Sequence, residues 1–304
     1  MASNVLITGG SGLLALNWAA TIRNRCSVVL GLHERSVALP GVHAQKIDLE
    51  SANAIARTIE AGRFDLVVHA AGFTSVEECE AKPDLARHVN VTLANNVAKA
   101  SADAGVPLAH ISTDHLFRGD EALVDETCPT APQNTYGRTK AEAERQVIET
   151  NPRALVIRTN FYGWGSSYRH SFSDTILGAL RSGKEMALFE DVFYTPILIE
   201  VLAEAVLELV DRKASSIYHV VGDERLSKFE FGLKIAERFG LDAALIKPVL
   251  MANQASLVQR PFDMSLSNQE ACSMLGRVFG SVDEQIARLR QQEQNGLAQE
   301  LHRL

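Results

Sequence analysis

The chain has 304 residues, enough to bury a large core as one big domain or two close-packed lobes. Hydrophobic content of 46% and charged content of 22% are ordinary for a soluble globular protein, and a formal net charge of −7 argues against a general nucleic-acid binder. No apolar run approaches the roughly 20 residues of a membrane span; the longest candidate, 201–210, is interrupted by Glu204 and Glu208.

The first residues, Met1-Ala2-Ser3-Asn4, carry no basic region, so no signal peptide is expected. Val5-Leu6-Ile7 predicts a buried strand, followed by a helix over about 13–24 and a second strand over 28–32. Residues 44–47 form a weaker strand, 51–61 a helix, 66–70 a strand and 85–104 a long helical stretch. Further strands are expected over 108–112 and 155–158, separated by a helix that starts near Tyr136. Apolar runs alternating with amphipathic helices predict an α/β fold, a Rossmann-type doubly wound parallel sheet covered on both faces.

The pattern loosens after Arg158. Residues 161–170 are rich in Gly, Ser and aromatics, as in a loop lining a site. A helix is expected over 199–209, a strand over 217–221 and a helix over 228–239; 282–304 reads as a polar helix facing solvent or a partner. The expected division is a dinucleotide-binding domain of 1–158 with about 196–235. A smaller, sequence-interleaved C-terminal substrate lobe would come from about 159–195 and 236–304. Cys26, Cys79, Cys128 and Cys272 form no CxxC and no ligand cluster, which predicts reduced thiols in a cytoplasmic protein and no metal site.

Thr8-Gly9-Gly10-Ser11-Gly12-Leu13-Leu14-Ala15 follows the first strand and opens the first helix. Gly10, Gly12 and Ala15 satisfy G-x-G-x-x-A, and Gly9, Gly12 and Ala15 satisfy G-x-x-G-x-x-A. Such glycines permit a sharp turn and let backbone approach a pyrophosphate at a helix N-terminus. Gly9, Gly10, Ser11, Gly12 and Leu13 are therefore the expected pyrophosphate cradle of a dinucleotide. The second strand ends Gly31-Leu32-His33-Glu34-Arg35. His33 and Arg35 can meet a 2′-phosphate and Glu34 a 2′-hydroxyl, so NADP(H) is preferred and NAD(H) is possible. Asp48-Leu49 ends the third strand, where the carboxylate either reaches an adenine amino group or caps the next helix. Ala70-Ala71-Gly72 ends the fourth strand, with small side chains that leave room for a ribose or simply make a turn.

Tyr136 and Lys140 stand four residues apart at the head of a helix, on one face. A free phenol titrates near roughly pH 10, and a cation held beside it favours the phenolate. Ser112-Thr113-Asp114 precedes the pair at the end of an apolar strand.

With these residues the chain resembles the extended short-chain dehydrogenase/reductase superfamily, and within it the dTDP-4-dehydrorhamnose reductase branch. The segments that carry the resemblance are 69–77, Val89-Asn90-Val91, 111–117, 132–144, Arg158-Thr159-Asn160 and Gln259-Arg260-Pro261. The resemblance implies that Thr113 bonds the substrate carbonyl, Tyr136 donates the proton, and Lys140 holds the nicotinamide ribose and lowers the tyrosine pKa. It places Asn90 near the site, supporting Lys140 through water. Thr74, Asn160, Tyr162, Trp164 and Arg260 become substrate-side candidates, with Arg260 meeting a nucleotide phosphate; a surface ion pair for Arg260 and core positions for the aromatics are the alternatives. The implied activity is NADP(H)-dependent reduction of a nucleotide-linked 4-keto-6-deoxy sugar, in a protein that binds neither nucleic acid nor membrane and pairs as a homodimer. Two other readings stay open: a nucleotide-sugar epimerase that retains NAD, and a non-catalytic cofactor-binding subunit resembling the methionine adenosyltransferase beta subunit. Segments 159–164 and 190–196 depart from the branch's usual pattern, so carbonyl chemistry is better supported than the sugar. His115 after Thr113-Asp114, where sugar dehydratases carry Glu, disfavours dehydration.

Overall fold

The computed structural model describes residues 3–254 and 258–304. Strand β1 (Asn4–Thr8) leads into helix α1 (Leu13–Ile22), then β2 (Ser27–Leu32), β3 (His43–Lys46), α2 (Ala52–Gly62) and β4 (Leu66–His69). Short helices α3 (Val76–Ala81) and α4 (Pro83–Arg87) precede a wider π turn at His88–Thr92 and then α5 (Leu93–Asp103). Next come β5 (Leu108–Ile111), α6 (Thr135–Thr150) and β6 (Leu155–Arg158). The rest of the chain includes β7 (Phe161–Tyr162), α7 (Phe172–Arg181), α8 (Ile199–Asp211), β8 (Ser216–His219), α9 (Lys228–Phe239), α10 (Gln269–Leu275), α11 (Val282–Gln294) and α12 (Leu297–His302).

Seven strands form one parallel sheet in the order β8-β6-β5-β4-β1-β2-β3. The expected doubly wound α/β fold is present. The central strands are buried throughout and mostly apolar, as a parallel sheet covered on both faces requires. Val5, Ile7, Val68 and Ile157 face a core shared with α1 and α8; Leu6, Val67 and Val156 face a second core with residues of α2, α5 and α6. Chain order reverses at β1, which has β2 on one side and β4 on the other. A switch of this kind opens a crevice beyond the carboxyl ends of the strands, where open α/β sheets bind ligands.

One expectation needs correction. Residues 282–304 form two helices, broken where Gly296 takes φ +88°, and neither is a detached surface helix. Val282, Ile286, Leu289, Ala298 and Leu301 recur at helical spacing and are buried in the main core. The polar residues that dominate this segment occupy the other face. Among the described residues, no helix is long and apolar enough to cross a membrane, and no cluster of three or more His, Cys, Asp or Glu could hold a metal ion.

Candidate active site

A cleft of about 640 Å³ opens at the switch point. The glycine turn forms one wall. Gly9 adopts φ +70°, and a Cβ there would lie 2.7 Å from the Ala71 backbone, so only glycine fits. Gly12 starts α1, and no side chain caps that helix. Gly12, Leu13 and Leu14 line the cleft, so the helix start presents its unpaired N–H groups and positive dipole end there. This cradle suits the pyrophosphate of a dinucleotide. Gly10 does not line the cleft: a Cβ on it would meet Leu30 at 2.7 Å, so it packs the turn against β2. Ser11 lines the cleft, and its carbonyl accepts the Tyr168 hydroxyl at 2.7 Å.

Of the residues expected beyond the turn, Arg35, Ala70, Ala71 and Gly72 line the cleft. The Arg35 guanidinium lies over the Tyr168 ring, 4.0 Å from its centroid. His33 and Glu34 are exposed and outside the lining. Asp48 is also exposed, and its carboxylate accepts the Glu50 N–H at 2.9 Å. It does not cap α2 either; Ser51 does, accepting the Ala54 N–H. Leu49 accepts from Asn96 through its carbonyl and stays out of the lining.

Thr113, Tyr136 and Lys140 meet in the cleft. Asn134 fixes the start of α6 by accepting the Gly137 N–H at 2.9 Å. Gly137 leaves no room for a side chain against the His115 carbonyl, so the first turn of α6 packs tightly on the 112–115 loop. Burial pushes the Tyr136 phenol up to about 12, and the Thr113 hydroxyl is the main group opposing that rise. Arg169 opposes it more weakly. Lys140 was expected to draw the phenol toward its anion, but it is not among the groups that move it. The ammonium instead donates to the Ile111 carbonyl at 2.7 Å, and burial pushes it down to about 8 against the attraction of Glu144. At neutral pH the pair is therefore a protonated phenol and a mostly charged ammonium. Asn90, expected near the site, has its direct partners in the loop after β4 and in α6. It accepts the Phe73 N–H at 2.7 Å and donates to the Phe73 carbonyl and the Thr139 hydroxyl. It braces the loop after β4 against α6.

Beneath α6 runs a buried polar row. Glu144, one turn beyond Lys140, receives Arg158 through Nε at 3.1 Å and Nη2 at 2.8 Å, and receives the Ser112 hydroxyl as well. Arg158 also meets His219 Nε2 at 3.3 Å. Across the sheet His69 and His110 stack with centroids 5.4 Å apart, and Thr8 bonds His69 Nδ1 at 2.7 Å. Burial keeps all three histidines neutral, His69 and His219 being pushed down to about 3 and His110 well below its ordinary value.

On the substrate side, Thr74 and Asn160 line the cleft, and Asn160 bonds the buried Asp114 carboxylate. Tyr162 and Trp164 do not reach it. They are 2% and 1% exposed in the main core, Tyr162 edge-on to Phe231 and Trp164 bonded through Nε1 to the Leu289 carbonyl at 3.3 Å. Arg260 lies outside the lining and pairs with Glu77. The site residues that sequence reasoning missed include Asp114, His115, Tyr168 and Arg169. The last two belong to the Gly/Ser/aromatic segment, but nothing in its composition says which aromatic turns inward. In a chain of net charge −7, the cleft is lined by Arg35, Lys140 and Arg169 against one carboxylate, Asp114. Such a balance attracts polyanionic ligands.

Residues 3–294 match the family model described as the RmlD substrate binding domain. The chain belongs to this family, within the extended short-chain dehydrogenase/reductases. A probable low-salt glycan biosynthesis reductase of Haloferax volcanii is 30% identical over 287 residues, 93% of this chain and 96% of that protein. The dTDP-4-dehydrorhamnose reductase of Escherichia coli K12 is 29% identical over 209 residues, 66% of this chain and 69% of that enzyme. Among solved structures, a dTDP-4-dehydrorhamnose reductase of Bacillus anthracis in complex with NADP superposes with a TM-score of 0.84 at 24% identity, covering 96% of this chain and 100% of that one. This last likeness speaks for the fold.

Proposed function

We propose that the chain is an NADPH-dependent reductase of a nucleotide-linked 4-keto-6-deoxy sugar. The observation that carries this reading is the meeting of Thr113, Tyr136 and Lys140 in one cleft with the uncapped start of α1 and its glycine turn. The family relationship and the reductases among its relatives support it. NADPH, when bound, supplies the hydride for the keto carbon. The glycine turn and the first turn of α1 hold its pyrophosphate, Arg35 receives the 2′-phosphate, and NADH is the weaker alternative. Ala70, Ala71 and Gly72 leave room for its ribose, and Lys140 orients the ribose hydroxyls. Thr113 and Tyr136 hydrogen-bond the ketone oxygen, and Tyr136 passes its proton to that oxygen as charge develops on it. A phenol kept protonated by burial suits a proton donor. In this reading 1–158 with about 196–235 carries the cofactor, and about 159–195 with 236–304 the substrate.

The test is NADPH oxidation across a panel of nucleotide 4-keto sugars, with NADH alongside. Tyr136→Phe is expected to abolish turnover while NADPH binding stays intact. Near-normal turnover in that variant would sink the assignment. Cofactor binding without turnover of any sugar would favour the non-catalytic subunit, and purified protein carrying tightly held NAD would favour the epimerase.

A further inference from the structure

The expected phosphate contact, Arg260, is engaged by Glu77 and stands outside the cleft. Lys140 donates to the Ile111 carbonyl and, in the reductase reading, serves the cofactor's ribose. Arg35 lies over Tyr168, whose hydroxyl reaches the glycine turn, and so belongs to the cofactor end. Arg169 is the remaining cation of the lining. Its guanidinium donates from Nη2 to the Thr74 hydroxyl at 2.9 Å, and no carboxylate pairs with it among the described residues. The other guanidinium N–H groups are open to a ligand.

The segment that carries Arg169 is built. Ser166 and Arg169 exchange backbone hydrogen bonds at 2.9 and 3.3 Å, closing a four-residue turn. The Gly165 N–H is held by Asp174 at 2.6 Å on one side of the turn, and Tyr168 is tied to Ser11 on the other. The turn bridges the glycine loop and Thr74, with Arg169 near enough to Tyr136 to influence it electrostatically. Arg169 thus faces the cleft between Thr74 and the glycine loop, where a planar guanidinium can take an anion in bidentate fashion.

We propose that Arg169, fixed by Thr74 and the 166–169 turn, is the cation that receives the diphosphate of the nucleotide-linked substrate. The inference rests on the reductase reading for the identity of the anion.

The experiment is calorimetric titration of the protein saturated with NADP⁺, using dTDP, UDP and GDP as probes and thymidine as the uncharged control. Arg169→Ala is expected to weaken the best nucleoside diphosphate by about tenfold or more, the loss of one charge-assisted bidentate contact. Arg169→Lys should fall between, and NADP⁺ affinity should stay within about twofold of the parent. Unchanged diphosphate affinity in Arg169→Ala overturns the proposal. So does an equal loss of NADP⁺ affinity, or a parent protein that binds no diphosphate. Arg169-dependent diphosphate binding without turnover of any 4-keto sugar would support the site and count against the reductase reading alone.

Discussion

The buried pair Glu144–Arg158 offers a demanding test of how the catalytic helix is held. Both side chains are 4% exposed, and three contacts from Arg158 Nε and Nη2 reach the Glu144 carboxylate, which also accepts the Ser112 hydroxyl. Glu144 sits one turn beyond Lys140 and two beyond Tyr136 on α6, and Arg158 ends β6. Arg158→Met leaves a buried carboxylate with Ser112 as its remaining partner, and Glu144→Leu leaves a buried guanidinium beside His219 and Phe117. Removing one member of a buried pair costs about 3–5 kcal/mol, because the survivor stays desolvated and uncompensated. The double variant removes both charges and should lose far less than the sum, giving a coupling energy of about 3 kcal/mol or more in the cycle. Urea unfolding followed by fluorescence reads this directly, since Trp18 and Trp164 are both in the core. Singles that each cost under about 1 kcal/mol, or a double equal to their sum, would refute the reasoning.

Three further outcomes are expected. Arg35→Ala should raise the KM for NADPH about tenfold and leave that for NADH nearly unchanged, as loss of one charged phosphate contact predicts; equal effects on both cofactors would remove Arg35 from the 2′-phosphate. Stability should fall with acid below about pH 6.5, where the unfolded chain protonates His69, His110 and His219 while the fold keeps them neutral. Each histidine then costs up to about 1.4 kcal/mol per pH unit, the loss for His69 and His219 continuing down to their folded values of about 3. Equal unfolding free energies at pH 7.5 and 5.5 would contradict this. Trp164→Ala should destabilise the fold by about 3–5 kcal/mol through the cavity it leaves, with ligand affinity preserved under conditions where the variant is folded; a selective loss of substrate binding in a fully stable variant would return Trp164 to the site.

Local pattern carried much of the site. The glycine turn was legible because a strand, a G-x-x-G-x-x-A run and a helix must follow one another closely for backbone to meet a pyrophosphate. Tyr136 and Lys140 were legible because four residues is one helical turn. Their electrostatics were not. Spacing along a helix says that two side chains share a face, but the Ile111 carbonyl holds Lys140 and burial dominates Tyr136. The direct partners of Asp48 and Asn90 were not legible for a related reason: a short polar side chain satisfies whichever backbone group lies nearest, and that neighbour comes from the fold.

By itself the sequence determined the alternating α/β order, the parallel sheet and the chemistry gathered at its carboxyl edge, since each follows from periodicity or from spacing within a few residues. The tertiary structure decided the substrate wall. Tyr162, Trp164, Tyr168 and Arg169 lie within eight residues of one another, yet two turn into the core and two face the cleft. That sorting depends on partners far along the chain, Leu289 for Trp164 and Ser11 for Tyr168, which no local pattern contains.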